Sequence, residues 1–173
     1  MVLIKYICIF TAVIRLVYFV MAVIYNHKAI KLMAADNVAV NILALVDLQF
    51  QTGIRISDLL SIDFSNVTER LHIVIEQGKG SRKLVVSPTN FRDYWKSVRV
   101  NKLKPSAGLN RFFFYRLYKK YGIEIDRGAN KNKSVTHAPR KLIGKELYNR
   151  VNEIEDVQAG LGHRSKKSSE FYI

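Results

Sequence analysis

Six side chains form a set whose types suit chemistry on a phosphodiester: Arg55, Lys79, His137, Arg140, His163 and Tyr172. Arginines bind the non-bridging oxygens of a phosphate with paired hydrogen bonds. Histidines donate hydrogen bonds to the same oxygens or move protons, and a lysine can protonate a leaving sugar oxygen. A tyrosine oxygen can attack phosphorus and form a covalent phosphotyrosine. Because fixed cations stabilise the growing negative charge, this chemistry needs no metal ion and no cofactor.

Several other kinds of site are excluded by their missing motifs. The sequence has no G-x-x-x-x-G-K-[ST], because Gly78-Lys79-Gly80 lies in a predicted hairpin turn and not between a strand and a helix. It has no G-x-S-x-G and no H-E-x-x-H. Its carboxylates do not cluster as a two-metal site requires. The single cysteine, Cys8, excludes an intrachain disulfide and a cysteine-based zinc site.

The net charge of +14 is concentrated in one part of the chain. Residues 76–133 carry fifteen basic and four acidic side chains, a net charge of +11. Aromatic residues interleave these charges: Tyr94, Trp95, Phe112, Tyr115, Tyr118 and Tyr121. This pattern predicts a polyanionic partner, with nucleic acid favoured over an acidic membrane surface.

The elements that must position the six side chains are mostly helical. Apolar periodicity predicts a helix over 38–51 that ends at Thr52-Gly53, followed by a short helix from Asp58 to Ile62 capped by Ser57. Strands are predicted from Leu71 to Glu76 and from Arg82 to Ser87, around a turn at 77–81. Further helices are predicted from Pro88 toward Val98 and over 109–121, 136–150, 153–160 and 165–172. The expected fold class is α+β, mainly helical with a small antiparallel sheet.

Residues 1–25 are apolar except for Lys5, Thr11 and Arg15. A buried helix or strand that packs on the following domain is the favoured interpretation. A membrane or interfacial helix stays open, although a central arginine costs roughly 3 kcal/mol on insertion scales. A third interpretation is an exposed fragment of a larger ancestral domain.

Five ordered motifs over residues 36–173 resemble the tyrosine recombinases of the phage integrase family. TGIRISDLLSI at 52–62 is similar to the family's first arginine motif, and QGKGSRKLVV at 77–86 resembles its hairpin with the catalytic lysine. HAPR at 137–140 matches H-x-x-R, and LGH at 161–163 matches the second histidine motif. Tyr172 follows His163 at the spacing of the family's nucleophile.

The resemblance implies a role for each of the six residues. Arg55 and Arg140 are expected to clamp the scissile phosphate, and His137 to contact it and assist proton transfer. Lys79 is expected to protonate the leaving 5′-hydroxyl, with Lys83 or Arg82 as alternatives. His163 is expected to hydrogen-bond the phosphate and support Tyr172, the nucleophile that forms a 3′-phosphotyrosine. Two arginines, a lysine and a protonated histidine are expected to favour the phenolate of Tyr172.

The resemblance also implies the partners. We expect double-stranded DNA, a homo-oligomer (dimer or tetramer) on that DNA, no cofactor, and an intracellular location. Residues 1–35 are expected to be an apolar helix, vestige or anchor and not the separate DNA-gripping domain that family members usually carry. Without that clamp, DNA binding is expected to be weak and to depend strongly on salt. A DNA-binding remnant without activity, a type IB topoisomerase-like enzyme and a membrane-associated protein anchored by residues 1–25 remain as alternatives. Contact with a membrane is not favoured.

Overall fold

The structure is a computed structural model that describes residues 28–77, 82–123, 135–151, 153–161, 163 and 165–170. Helices lie at 28–35 (α1), Val40–Thr52 (α2), Ile56–Leu60 (α3), Arg92–Val100 (α4), Arg111–Lys120 (α5), Ala138–Val151 (α6) and Ile154–Leu161 (α7). Strands Ile73–Gln77 (β1) and Arg82–Val86 (β2) pair antiparallel, with Ile73 opposite Val86 and Gln77 opposite Arg82. The predicted class, mainly helical with a small antiparallel sheet, is confirmed.

Helix α2 runs through the centre of the described core. Every residue from Leu43 to Phe50 is buried, including Asp47 and Gln49. A helix that is buried on all sides lies inside the fold and not on its surface. It ends at Gly53, whose φ of 63° is left-handed and whose N–H donates to the carbonyl of Gln49 at 2.8 Å. This glycine cap is the end that the sequence predicts.

Helix α3 begins two residues earlier than predicted. It starts at Ile56, and Arg55 occupies the N-cap position with an extended backbone and no capping side chain. The predicted cap, Ser57, instead donates its hydroxyl to Asp58 Oδ1 at 3.4 Å. Burial of Ile56 and Leu59 decides the start of the helix, because these two residues lie one turn apart on the core-facing side.

The hairpin and helix α4 also depart from the predicted boundaries. Leu71 has a φ of 58°, so the strand begins after it, at Ile73. Pro88 does not open α4, which begins at Arg92 after Phe91 adopts a left-handed φ of 55°. Ile73 and Ile75 share the buried face of β1, as their alternation predicts.

Two aromatic side chains from the basic segment lie in the core and not on its surface. Trp95 of α4 and Tyr118 of α5 are fully buried. Phe114 packs edge-on against Tyr118, with 6.1 Å between the ring centroids. These residues therefore anchor α4 and α5 and do not belong to an exposed polyanion-binding surface.

The chain after α7 forms a 3-10 turn at Lys166–Ser168 and not the predicted helix, as far as residues 165–170 are concerned. Residues 171–173 and the apolar segment 1–25 lie outside the described residues. Within the described ranges, no helix is both long and apolar enough to cross a membrane.

Candidate active site

Arg140 holds three of the predicted motifs together. It lies in the first turn of α6 and is only 2% exposed. Its Nη1 donates to the carbonyl of Gly53 at 2.8 Å, and its Nη2 donates to the carbonyl of Leu161 at 2.6 Å. Gly53 lies two residues before Arg55, and Leu161 lies two residues before His163. The planar guanidinium therefore fixes both neighbouring motifs around one buried positive charge.

Arg55 lies at the start of α3 with its guanidinium directed toward Asp58. Nη1 of Arg55 and Oδ2 of Asp58 are 3.9 Å apart, too far for a hydrogen bond. Both atoms are buried, and neither has a hydrogen-bond partner among the described residues. Buried polar groups are normally paired. The arrangement thus keeps a positive charge in place while leaving Arg55 Nη1 able to donate to an added anion.

His163 is held from its backbone and from its ring. Its N–H donates to the carbonyl of Gln158 at 2.9 Å, and its own carbonyl accepts from Gln158 Nε2 at 3.2 Å. Nδ1 of the ring is 2.9 Å from Oγ of Ser169, and both residues are buried. These contacts fix the orientation of the imidazole.

The charge state of His163 differs from the expectation. Burial first, and then the positive charges of Arg140 and Arg55, lowers the pKa of His163 to about 4. The ring is therefore neutral at pH 7 before any anion binds, so His163 is not the protonated histidine that was expected beside Tyr172.

His137 closes a 3-10 turn, Val135–His137, immediately before α6. It is half-buried and lies three residues before Arg140. The carbonyl of Thr136, just before it, accepts a hydrogen bond from the buried Gln49. The H-x-x-R spacing thus places His137 immediately before the N-terminus of α6, the helix that carries Arg140.

Lys79 and Tyr172 lie outside the described residues, so their predicted roles stay predictions. The paired residues Gln77 and Arg82 flank the segment that contains Lys79. Lys83, the alternative general acid, lies 3.2 Å from Glu76 across the hairpin. This ion pair gives Lys83 a partner on the opposite strand.

Three residues near the site were not predicted: Gln49, Asp58 and Ser169. Asp58 follows Arg55 by three residues, a helical spacing that could have indicated the pair. Ser169 follows His163 by six residues without a regular element that would predict their contact. Gln49 carries no sequence signal, since its partners lie up to 87 residues away.

Other described residues limit which groups can act as the nucleophile or bind a metal ion. Burial raises the pKa of Tyr118, whose hydroxyl donates to Gln49, so this tyrosine is not a nucleophile open to a substrate. Burial also raises the pKa of the half-buried Tyr94 to about 12. Among the described side chains, no group of three or more His, Cys, Asp or Glu residues is arranged to hold a metal ion. The site is a cluster of cations and histidines built around Arg140.

Comparison with known proteins identifies the class of this site. The model of the phage integrase family matches residues 22–173. The chain therefore belongs to the phage integrase family, whose members are the tyrosine recombinases that the motifs resemble.

The particular relatives are Xer recombinases. Tyrosine recombinase XerD of Staphylococcus epidermidis is 24% identical over 145 residues, covering 74% of this chain and 48% of that protein. Tyrosine recombinase XerH of Campylobacter jejuni is 25% identical over 134 residues, covering 70% of this chain and 37% of that protein. The chain spans at most about half the length of these relatives.

Solved structures confirm the fold. A XerH site-specific recombinase bound to a difH substrate, in a pre-cleavage complex, has a TM-score of 0.61 at 21% identity. The match covers 86% of this chain and 48% of that one. A post-cleavage complex on a palindromic difH substrate has a TM-score of 0.59.

Proposed function

We propose that this protein is a site-specific DNA recombinase that cleaves and rejoins DNA through a 3′-phosphotyrosine intermediate. The observation that carries the proposal is the position of Arg140, which joins the Arg55 and His163 segments around one buried charge. Membership of the phage integrase family supports it. The relatives are named as tyrosine recombinases, and these matches favour neither the inactive DNA-binding remnant nor the type IB topoisomerase-like enzyme.

In the proposed reaction the hydroxyl oxygen of Tyr172 attacks the scissile phosphorus. A P–O bond to Tyr172 forms as the P–O5′ bond breaks, and Lys79 gives a proton to the leaving 5′ oxygen. The phenolic proton passes to a base, for which His137 is the candidate. The reverse attack by a 5′-hydroxyl rejoins the DNA, because the phosphotyrosine bond retains the energy of the broken phosphodiester.

Arg55 and Arg140 differ in how they stabilise the transition state. The Arg55 side chain is 24% exposed and has a buried Nη1 without a described partner, so we assign it a direct contact with a non-bridging oxygen. Arg140 is nearly buried and donates to two carbonyls, so it contributes a fixed positive charge and a rigid frame. A phosphate bound beside them adds negative charge near His163 and raises its pKa, which strengthens its hydrogen bond to the phosphate.

Helix α5 provides a candidate DNA-binding face. The outer side of this helix carries, at helical spacing, the exposed Phe112, Arg116 and Lys119 and the partly buried Tyr115. Phe114, Leu117 and Tyr118 face the core. Phe112 is 76% exposed, and Lys119 Nζ lies 5.4 Å from the centroid of the Tyr115 ring. Cations bind phosphates, and exposed aromatic rings contact sugars and bases. We call Phe112, Tyr115, Arg116 and Lys119 the α5 face.

Double-stranded DNA inside the cell is the proposed substrate, and a dimer or tetramer on DNA is the proposed assembly. Residues 36–173 form the proposed catalytic domain. Native gels with DNA carrying one or two binding sites test the assembly. A single-site shift on two-site DNA at every protein concentration would contradict it.

A nicked suicide substrate tests the proposed cleavage. The wild-type protein should form a covalent complex with DNA that survives a denaturing gel. Tyr172→Phe should abolish this adduct and leave DNA binding unchanged, because only the attacking oxygen is lost. An adduct that persists in Tyr172→Phe would assign the nucleophile elsewhere, and DNA binding without any adduct would support the inactive remnant.

A further inference from the structure

One buried amide links the segments that carry Arg55 and His137. The side chain of Gln49, on the last part of α2, is fully buried. Its Nε2 donates to the carbonyl of Ile54 at 3.1 Å and to the carbonyl of Thr136 at 3.4 Å. Ile54 precedes Arg55, and Thr136 precedes His137.

The orientation of this amide is set by a second buried side chain. The hydroxyl of Tyr118, on α5, donates to Oε1 of Gln49. A glutamine amide has two N–H donors and one carbonyl acceptor. Here the N–H donors face two backbone carbonyls, and the acceptor faces a hydroxyl donor. Rotating the amide by half a turn would oppose Oε1 to two carbonyls and the amide nitrogen to a hydroxyl donor. Tyr118 therefore holds Gln49 in the one orientation that serves both backbone segments.

We propose that Gln49, oriented by Tyr118, is a positioning residue that sets the distance between Arg55 and His137. The inference rests on the proposed function, since both residues are assigned to the scissile phosphate. Gln49 bonds to the residue that precedes each of them. It acts on the backbone immediately before each of them, where a small displacement changes the direction of the following side chain.

The loss of cleavage rate that follows from moving these segments should depend on the negative charge of the scissile phosphate. If the Arg55 segment moves, its guanidinium no longer meets the non-bridging oxygen whose charge it neutralises. A misplacement of about 1 Å costs up to roughly 100-fold in rate. A scissile methylphosphonate, in which a neutral methyl group replaces one charged oxygen, removes most of the need for this neutralisation.

The test compares cleavage of a phosphodiester and of a methylphosphonate by wild type, Gln49→Met and Tyr118→Phe. Gln49→Met keeps the length and helical preference of the side chain but removes the amide. We expect it to cleave the phosphodiester at least about ten-fold more slowly, with DNA affinity unchanged within about two-fold. On the methylphosphonate the ratio of wild-type to variant rates should be clearly smaller than on the phosphodiester, because the contribution of Arg55 is no longer needed there. Tyr118→Phe should show the same pattern with a smaller loss.

Trp95→Phe is the matched control, because it alters a buried aromatic residue of α4 whose Nε1 has no hydrogen-bond partner among the described residues. Trp95→Phe should change the cleavage rate by the same factor on both substrates. Two results would overturn the inference. One is that Gln49→Met and Tyr118→Phe each lower the cleavage rate by the same factor on the phosphodiester and on the methylphosphonate. The other is that both variants cleave the phosphodiester at the wild-type rate. Absence of any wild-type adduct would instead overturn the proposed function, and the inference with it. If Gln49→Met does not fold, Tyr118→Phe alone decides the inference.

Discussion

Nδ1 of His163 lies 2.9 Å from Oγ of Ser169, and both side chains are inside the protein. Ser169 precedes Tyr172 by three residues, so this contact ties the imidazole to the segment that leads to the proposed nucleophile. Because the ring is neutral at pH 7, one of its nitrogens carries a hydrogen and the other accepts. The contact with Ser169 uses Nδ1.

The depressed pKa of His163 predicts how stability depends on pH. The unfolded chain takes up a proton near the ordinary pKa of 6.5, whereas the folded protein resists it down to about 4. The contribution of the neutral His163 to stability is therefore complete above pH 6.5. The free energy of unfolding should fall as the pH is lowered from there to about 4. Urea unfolding at a series of pH values measures this. His163→Gln should flatten that part of the curve, and parallel curves for the two proteins would refute the assignment.

Arg140→Lys should slow single-turnover cleavage by roughly 100-fold or more. A lysine ammonium is a point charge and cannot reproduce the planar fork that spans the carbonyls of Gly53 and Leu161. The rate of adduct formation on the suicide substrate is the measurement. Arg150→Lys is the control, because Arg150 pairs with Glu146 on the exposed side of the same helix. Equal rates in the two variants would remove Arg140 from the site.

Gly53→Ala should destabilise the protein more than Gly108→Ala. Both glycines have left-handed backbones, with φ of 63° and 72°, so each substitution costs about 1–2 kcal/mol in backbone strain. A Cβ on Gly53 would also lie 3.1 Å from Leu161 and 3.2 Å from Ile143, whereas at Gly108 it meets nothing within 4 Å.

The difference in unfolding free energy between these two variants isolates the packing of α2 against α6 and α7. Cleavage should fall in Gly53→Ala alone, since its carbonyl is a partner of Arg140. Equal losses of stability and activity in both variants would show that Gly53 serves only the turn.

Lys79→Ala should slow cleavage of ordinary DNA. Its cleavage rate should recover when the substrate carries a 5′-bridging phosphorothiolate. A thiolate is a better leaving group and does not need protonation, so the general acid becomes dispensable. Lys83→Ala is the control and should behave as wild type on both substrates, because Lys83 pairs with Glu76. Rescue of Lys83→Ala and not of Lys79→Ala would reverse the assignment.

DNA affinity should fall steeply with salt, and part of that slope should come from the α5 face. Each lost phosphate contact reduces the log-log slope by about 0.9. Arg116→Gln and Lys119→Gln should each show this reduction in fluorescence anisotropy titrations. Lys120→Gln should not, because Lys120 Nζ donates to Asp36 Oδ2 at 2.9 Å. A salt-independent affinity would contradict the electrostatic basis of binding.

Local patterns in the sequence are enough to predict the ends and faces of several elements and the class of protein. A glycine after an apolar helical run predicts the end of α2, and period-two alternation predicts the buried face of β1. The ordered motifs identify the family, because each one depends on residue types at short, fixed spacings. Boundaries were less accurate: α3 begins at Ile56 and α4 at Arg92, because burial and a left-handed Phe91 override the local preferences of Ser57 and Pro88.

Contacts between residues far apart in the chain hold the site together and set its charge. Arg140 binds carbonyls 87 and 21 residues away, and Gln49 reaches Thr136 across 87 residues. Such contacts leave no periodic trace, since any residue offers a backbone carbonyl. The neutral state of His163 likewise follows from its burial beside Arg140 and Arg55. Desolvation and neighbouring charge are properties of a folded environment, and the order of residues along the chain does not contain them.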